Sequence, residues 1–514
     1  MKTKNTQDLM DVNCKIDGDA IDKLFDNNNS VEPKLFIKRT TLNIHTHNNS
    51  NNELLKTLIL TGDTEHFETV FDDIKNTHFS HFDSYDEVRV PNKIRAAISR
   101  DCDKRLKEIH PDIEVAKELV LIIASNFNNT WLLSKDARNE RQEKGYKQLY
   151  HKILRSQVSI QGKTSDNTYK KIINFLIEGT KKGPIIEKGR GHSSFFHTST
   201  EYKLTENYFG KGNEVVKLKT VYAKKLVKKY FFSKMHSLTS NKIGRLLLMF
   251  YSVIETPEED KVIEKLDKLI EEGYSNKRGK KLIWAKTHRK KLEATKKYVF
   301  AEDYLKLFHE LTDKFLIPII GGENSGGRVV DSFTLMPSVL RVLFTIDGEP
   351  IEIPDYSALH PNIAVKIFDG DTKYITHKKI ATELGIEENE VKIENLSFFN
   401  KSFGGEITNK DGKNVYISGM IYSPIYKFYE KNDQKMILNI KNNKEKNGYK
   451  ETSKLLLTKE VEIMETVMER LFNEFGIITG YVYDALICSK ENRNTVVKVM
   501  NEEILKFGVY TQAK

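Results

Sequence analysis

The chain has 514 residues, too long for one ordinary hydrophobic core, and carries 82 lysines and arginines against 72 aspartates and glutamates, a formal charge of +10. Its apolar share of 39% and aromatic share of 10% exclude a disordered polyelectrolyte, and the positive surplus suits a polyanion, nucleic acid before anionic membrane. Cys14, Cys102 and Cys488 contain no CxxC pair, which argues against a disulfide framework and a zinc ribbon and for a reducing compartment. No apolar h-region follows the N-terminal lysines, and no apolar run reaches the ~18 residues a membrane helix needs. The expectation is a cytoplasmic protein with no membrane partner.

Residues 1 to about 52 are polar, with asparagine-rich runs around 26–30 and 45–52, and read as loops with a short strand at Lys34–Lys38. His45 and His47 have no acid or cysteine at ligand spacing and read as solvated. Phe67, Val70, Phe71 and Ile74 then recur at helical spacing, and Glu114 to Ser125 predicts a strongly apolar helix. Asp112 and Glu114 form a DxE pair of the kind exonucleases use, but without partner acids the pair carries no weight.

Between 183 and 235 glycines punctuate short β-prone runs such as Glu214–Leu218; Gly189-Arg190-Gly191 lacks the strand, helix and GK[ST] ending of a phosphate loop. His192 and His197 are five apart, a poor spacing for a shared metal on one helical face. From 241 to 316 the pattern is helical again, with Leu246, Leu247, Phe250, Tyr251 and Ile254 on one face. Within it lies a dense basic run that includes Lys277, Arg278, Lys280, Lys281, Lys286, Arg289 and Lys290, which predicts contact with a phosphate backbone. Gly321, Gly322, Gly326 and Gly327 then break the chain, and a domain boundary is expected there.

Beyond the break, Ile351-Glu352-Ile353 alternates as a half-buried strand and ends in Asp355-Tyr356-Ser357. Helices are predicted over Leu359–Phe368, from Asp371 onward, over Glu388–Phe399 and over Ser453–Phe472, the last with Leu457, Val461, Met464, Met468 and Leu471 on one face. Thr479 to Ser489 reads as a β-hairpin with Asp484 at its turn, and Asn492–Phe507 as a closing helix.

This order resembles the catalytic part of single-subunit polymerases, nearest to family A DNA polymerases and their phage RNA polymerase relatives. Asp355-Tyr356-Ser357 is similar to their strand–Asp-Tyr-Ser–helix motif, and Leu359-His360-Pro361-Asn362-Ile363 is similar to the Ser-Leu-Tyr-Pro-Ser-Ile of family B. Tyr483-Asp484 is similar to their hairpin His-Asp, with tyrosine in place of histidine. The resemblance covers about 321–514. It implies an α+β right-hand polymerase: an antiparallel β palm, helical fingers inserted at about 361–450, and a mainly helical N-terminal and thumb-like region. The domains expected are a polar extension (1–85), a helical basic region (86–320) and the palm with its fingers (321–514).

For the site, the resemblance implies that Asp355, Asp484 and the main-chain carbonyl of Tyr356 hold two Mg²⁺ ions, with Mn²⁺ as a substitute, and that Lys392 acts on the triphosphate. The family's middle helix can be laid on the chain in two registers. One places Phe399 against the base, Phe403-Gly404 in the Tyr-Gly position and Asn395 where the lysine belongs. The other makes Lys392 the triphosphate lysine, with Leu396 toward the base and Asn400 in the tyrosine position; it is preferred because a triphosphate needs a cation. Lys401 and Lys379 are further cations. His360 stands where the family places a bulky side chain under the sugar, and an imidazole there can exclude or hydrogen-bond a 2′-hydroxyl. Arg328 and Arg341 precede the first acid, as a basic segment does in the family, and are expected on nucleic acid.

The partners implied are a primer–template of DNA or RNA and nucleoside triphosphates. The function expected is a DNA polymerase of a phage or mobile element, because no promoter-reading module is recognisable. Rivals are a single-subunit RNA polymerase or primase-like enzyme, a non-catalytic nucleic-acid binder and a nuclease; the lysine-bearing helix favours a polymerase over the nuclease, which has no triphosphate to grip.

Overall fold

A computed structural model describes residues 86–99, 103–127, 146–159, 167–192, 199–209, 212–276, 279–284, 298–312, 318–408 and 414–514. The architecture is mixed α+β, with long helices and several small sheets whose strand pairs are antiparallel except for Lys281–Ile283 against Tyr298–Phe300. Among the described residues no helix is long and apolar enough to cross a membrane. The strand at Lys34–Lys38 and the apolar helical face expected over 67–74 lie outside the described residues.

Side chains from Val88 to Leu226 form one hydrophobic core. It is built on the strand pair Glu87–Pro91 and Asn213–Lys217 and on helices Ile113–Ala124, His151–Val158 and Thr168–Glu178. Asp112, the acid of the DxE pair, caps the first of these helices: its carboxylate accepts from the N–H groups of Glu114 (2.9 Å) and Val115 (3.3 Å). Helix Val221–Thr239 passes from this core to a second one. Its Ala223 and Leu226 belong to the first, and its Phe231, Phe232, Met235 and Leu238 belong to the second.

The second core runs from Phe231 to Ala513. The glycine-rich break therefore lies inside a core rather than between two: Phe308, before it, packs edge-on against Phe344, after it, with ring centroids 6.4 Å apart. Around the break the chain forms the strand pair Ile319–Ile320 and Val329–Val330, joined by a tight turn over Glu323–Ser325. Gly326 has φ 65°, and a side chain there would meet the backbone of Leu457 and Thr458 at 2.5 Å. Only glycine lets this loop lie on the long helix, which brings the following Arg328 against it.

At the centre is a five-stranded antiparallel sheet in the spatial order Gly480–Val482, Ala485–Ser489, Glu349–Glu352, Thr345–Ile346, Ile254–Glu255. Asp347 (φ 52°) and Gly348 (φ 74°) make the two-residue turn between its middle strands, the positive-φ pair a tight hairpin requires. Helices Lys242–Val253 and Arg493–Lys506 pack on the sheet, the long helix Glu451–Phe475 packs on both of them and on Leu359–Ile367 and Gln434–Asn447, and His377–Leu384 packs on Glu388–Phe398. One expected helix starts later than predicted. Residues 371–376 are non-helical, and Thr376 caps the helix by accepting from the N–H of Lys379 (3.0 Å).

Candidate functional site

The strand Glu349–Glu352 pairs with Ala485–Ser489, Ile351 opposite Ser489 and Glu352 opposite Cys488. That register continues past Pro354, which has no N–H to give but whose carbonyl accepts from Leu486 (3.0 Å). Asp355 then lies opposite Ala485, and the N–H of Tyr356 donates to the carbonyl of Asp484 (3.3 Å). The two acids predicted far apart in sequence thus occupy neighbouring positions at one end of the sheet.

Each acid is placed by its surroundings. The Tyr356 side chain is buried and its hydroxyl donates to the carbonyl of Met500 in the closing helix (2.6 Å), which pins the segment after Asp355. On the other side of Asp355 the last residues pair with this segment through an isolated antiparallel bridge between Tyr356 and Ala513, absent from the sequence reading. Lys514 N–H donates to Asp355 O (3.2 Å), Asp355 N–H to Lys514 O (3.4 Å) and Ser357 N–H to Gln512 O (2.9 Å). Asn501 holds this tail by accepting from the N–H of Ala513 (2.7 Å) and donating to its carbonyl (3.3 Å).

Asp484 is the second residue of a two-residue loop closed by the pair Val482–Ala485. The first, Tyr483, has φ 61°. A tight hairpin with positive φ at its first loop position ordinarily takes glycine there, and a bulky side chain in that region costs about 1–3 kcal/mol. The Tyr483 ring is held by Arg328, whose guanidinium lies 4.6 Å from its centroid, and by the Tyr481 ring 6.4 Å away.

Beside the acids stands a carboxylate that the sequence reading missed. Glu460, on the long helix, is 0% exposed. Its Oε1 accepts from Arg328 Nε (2.7 Å), and its Oε2 accepts from His360 Nε2 (2.7 Å) and from Arg328 Nη2. Burial alone would raise the Glu460 pKa, but His360 and Arg328 outweigh it and hold the carboxyl below its ordinary range. Asp484 shifts the other way: burial, then the Glu460 charge, push it up against the opposing charges of His360 and Arg328. A sequence signal for Glu460 existed, since it follows Leu457 by three positions and precedes Met464 by four, on the helix's apolar face.

Arg341, the other predicted arginine, donates to Thr334 O (3.0 Å) and faces Tyr483, Asp331 and Asp355. Burial pushes its guanidinium down, and its Nε is buried with no hydrogen-bond partner among the described residues. The hydroxyl of Tyr481, beside Glu460 and Arg328, is likewise buried without one.

The expected triphosphate helix shows a mixed outcome. Lys392 is exposed and paired with Glu388 one turn earlier (2.8 Å). It lies near His377, whose proton affinity falls through burial and then through Lys392, and which Lys514 also reaches. Phe399 does not present a ring to a base: it is 3% exposed and packs edge-on against Phe398 and Tyr429, so it is a core side chain. Asn395 is buried too, accepting from the Tyr429 hydroxyl (3.0 Å). Lys401 pairs with Glu394 (2.7 Å), and Phe403 lies edge-on to Tyr426 with Lys441 over its ring at 5.7 Å. Sequence reading also missed Lys444, whose buried ammonium donates to the carbonyls of Phe399 (2.8 Å), Lys401 (2.9 Å) and Tyr449 (2.8 Å).

Of the basic run, Lys280 and Lys281 are described, the latter with its side chain exposed at the start of a strand. Lys277, Arg278, Lys286, Arg289 and Lys290 lie outside the described residues.

Asp355 and Asp484 offer hard oxygen donors of the type Mg²⁺ prefers, and no cluster of three or more potential metal ligands occurs among the described residues. Glu460 does not add a third ligand because both its oxygens are taken by Arg328 and His360. Two carboxylates alone would leave most of a metal ion's coordination to waters or phosphate oxygens. No protein-family model and no curated protein matches the chain.

Proposed function

We propose that the chain carries out template-directed nucleotidyl transfer, as a DNA polymerase of a phage or other mobile element, with 321–514 as palm and fingers and the helical region before it as a thumb-like clamp. The observation that carries this reading is the placement of Asp355 and Asp484 on adjacent strand ends in one unbroken register. Asp355, Asp484 and the carbonyl of Tyr356 are the residues that would hold Mg²⁺ or Mn²⁺. When bound, such a pair of ions activates an attacking hydroxyl and neutralises a leaving pyrophosphate.

The chain's own groups have separable tasks. Lys392 binds the triphosphate by exchanging Glu388 for it, an exposed ion pair worth only about 0–1 kcal/mol, and Lys401, half-buried against Glu394, adds a second cation. Arg328, stacked on Tyr483, and Arg341 set the electrostatics behind the acids. His360, five positions after Asp355, faces the sugar. Lys277, Arg278, Lys280, Lys281, Lys286, Arg289 and Lys290 add salt-dependent backbone contacts with no sequence preference.

A second reading, a single-subunit RNA polymerase or primase-like enzyme, is favoured by one observation. His360 is tied through Nε2, so Nδ1 is the ring nitrogen left for a ligand, and an imidazole can bond a 2′-hydroxyl. Primer extension with Mg²⁺ and either dNTPs or NTPs tests both. The expected result is extension that Asp355→Asn and Asp484→Asn abolish without unfolding the protein. A folded wild-type chain that extends with neither sugar leaves a non-catalytic nucleic-acid binder.

A further inference from the structure

Glu460 gathers three donor contacts on one fully buried carboxylate, two from Arg328 and one from His360. A carboxylate held below its ordinary pKa only accepts, so the hydrogen in the 2.7 Å contact belongs to His360 Nε2. This fixes the ring: Nε2 points into the protein and Nδ1 is left for the site. The imidazole side chain is 30% exposed, so a ligand can reach it. Stability alone does not call for this arrangement, because apolar side chains of similar volume replace a buried ion pair with little loss. Tying a partly exposed histidine beside Asp484 to the same carboxylate has its effect on orientation.

We propose that Glu460 is the positioning residue for sugar recognition: it holds His360 so that Nδ1 meets the sugar of the incoming nucleotide, and so governs the choice between ribose and deoxyribose without touching either. The inference rests on the nucleotidyl-transfer reading of the site. Glu460→Leu is the informative change, because it keeps the volume but leaves no oxygen to accept from His360 or Arg328.

The test is single-nucleotide extension of a primed template with Mg²⁺, measuring kcat/KM for an NTP and its dNTP. Wild type, His360→Ala, Glu460→Leu and the apolar double variant Arg328→Met/Glu460→Met are compared. The expected result is a clear sugar preference in wild type that His360→Ala erodes roughly tenfold, the worth of one hydrogen bond. Glu460→Leu and the double variant should erode it to a similar extent, read as the ratio of the two kcat/KM values so that any loss common to both sugars cancels. If Glu460→Leu does not fold because Arg328 is left unpaired, the double variant, which removes both charges, decides the matter. The inference is overturned if wild type uses both sugars equally, if the preference survives His360→Ala, or if it stays within twofold of wild type in the folded Glu460 variants. Failure of wild type to extend with either nucleotide is distinct: it removes the nucleotidyl-transfer reading itself.

Discussion

The N–H of Tyr356 donates to the carbonyl of Asp484 across 3.3 Å, so the residue after the first acid is bonded to the backbone of the second. A one-residue slip of one strand against the other would turn every side chain in the slipped strand to the opposite face. The Tyr356 hydroxyl, bonded to Met500, guards against that shift from the far side.

Removing either acid should therefore act on chemistry and not on folding. Asp355→Asn and Asp484→Asn are expected to lower extension by at least on the order of 10²-fold, the scale of losing one group that stabilises developing charge. Asp484 is a carboxylate whose charge is opposed by burial and by Glu460. Asp484→Asn should thus unfold at the same temperature as wild type or above it near pH 7. A drop of several degrees in thermal unfolding would mean that the Asp484 charge supports the fold.

Glu460 is expected to behave in the opposite way. Glu460→Ala leaves Arg328 without its partner in a largely buried position, a change that costs about 3–5 kcal/mol. The pH dependence carries a defined sign. The folded carboxyl sits below its ordinary value of 4.5, so its stabilising contribution is present above that pH and is lost as pH falls through the folded value. Denaturant unfolding of wild type and Glu460→Ala at pH 7 and at pH 4 checks this; the difference between them should shrink at the lower pH.

Why one acid pair was legible and the third acid was not follows from local pattern. Ile351 and Ile353 alternate around Glu352, and Tyr481 to Ser489 is β-prone around a polar turn, so period-2 spacing placed Asp355 and Asp484 at strand ends. Glu460 lies between Lys459 and Glu462 on a helix rich in charge, where an acid reads as solvated unless its position on the apolar face is counted. The Asp347-Gly348 turn was in plain sight as a hairpin dipeptide. The tail at 511–514 was not, because its order comes from backbone bonds to Asp355 and Ser357, which no side-chain period announces. Phe399 was misplaced for a related reason: helical spacing shows that a ring lies on a face, but the partners Phe398 and Tyr429 decide which face is inside.

The hairpin turn sets strain against packing. Tyr483→Gly removes positive-φ strain of about 1 kcal/mol, the low end of the range for a bulky side chain, because φ 61° lies within the small allowed left-handed region. It also removes a largely covered ring, worth about 1.5–3 kcal/mol when fully buried, and the Arg328 contact, worth about 0.5–1 kcal/mol. Packing wins, so Tyr483→Gly is expected to destabilise by roughly 1 kcal/mol, and Tyr483→Phe, which keeps the ring, to change stability by less than about 0.5 kcal/mol. An increase in stability for the glycine variant would show that the ring contributes little.

The tail should matter to Asp355 more than to the fold. Ala513→Pro removes the N–H that Asn501 accepts and disturbs the pairing of Lys514 with Asp355. The expected outcome is faster hydrogen exchange at Ser357, whose N–H bonds Gln512 O, together with reduced extension and a stability loss of only about 1–2 kcal/mol. Unchanged exchange at Ser357 would mean that the segment Asp355–Ser357 holds its place without the tail.

Lys444 offers a test at alkaline pH. Burial pushes its ammonium down from 10.5 to about 8, while its three protons bond the carbonyls of Phe399, Lys401 and Tyr449. Lys444→Met removes a buried charge but strands those acceptors, each costing about 1–3 kcal/mol if no other donor reaches it. Three stranded acceptors outweigh one relieved charge, so the variant is expected to be less stable at pH 7. The sign with pH is fixed by the lowered folded pKa. Below about 8 both folded and unfolded lysines are charged and the burial cost is constant. Between about 8 and 10.5 the unfolded chain binds more protons than the folded one, so this group makes wild type more stable as pH rises. Thermal unfolding of wild type and Lys444→Met at pH 7 and pH 10 isolates the group. The gap in favour of wild type should widen at pH 10, and a gap that closes would mean that the neutral amine no longer holds the loop carrying Lys401 and Phe403.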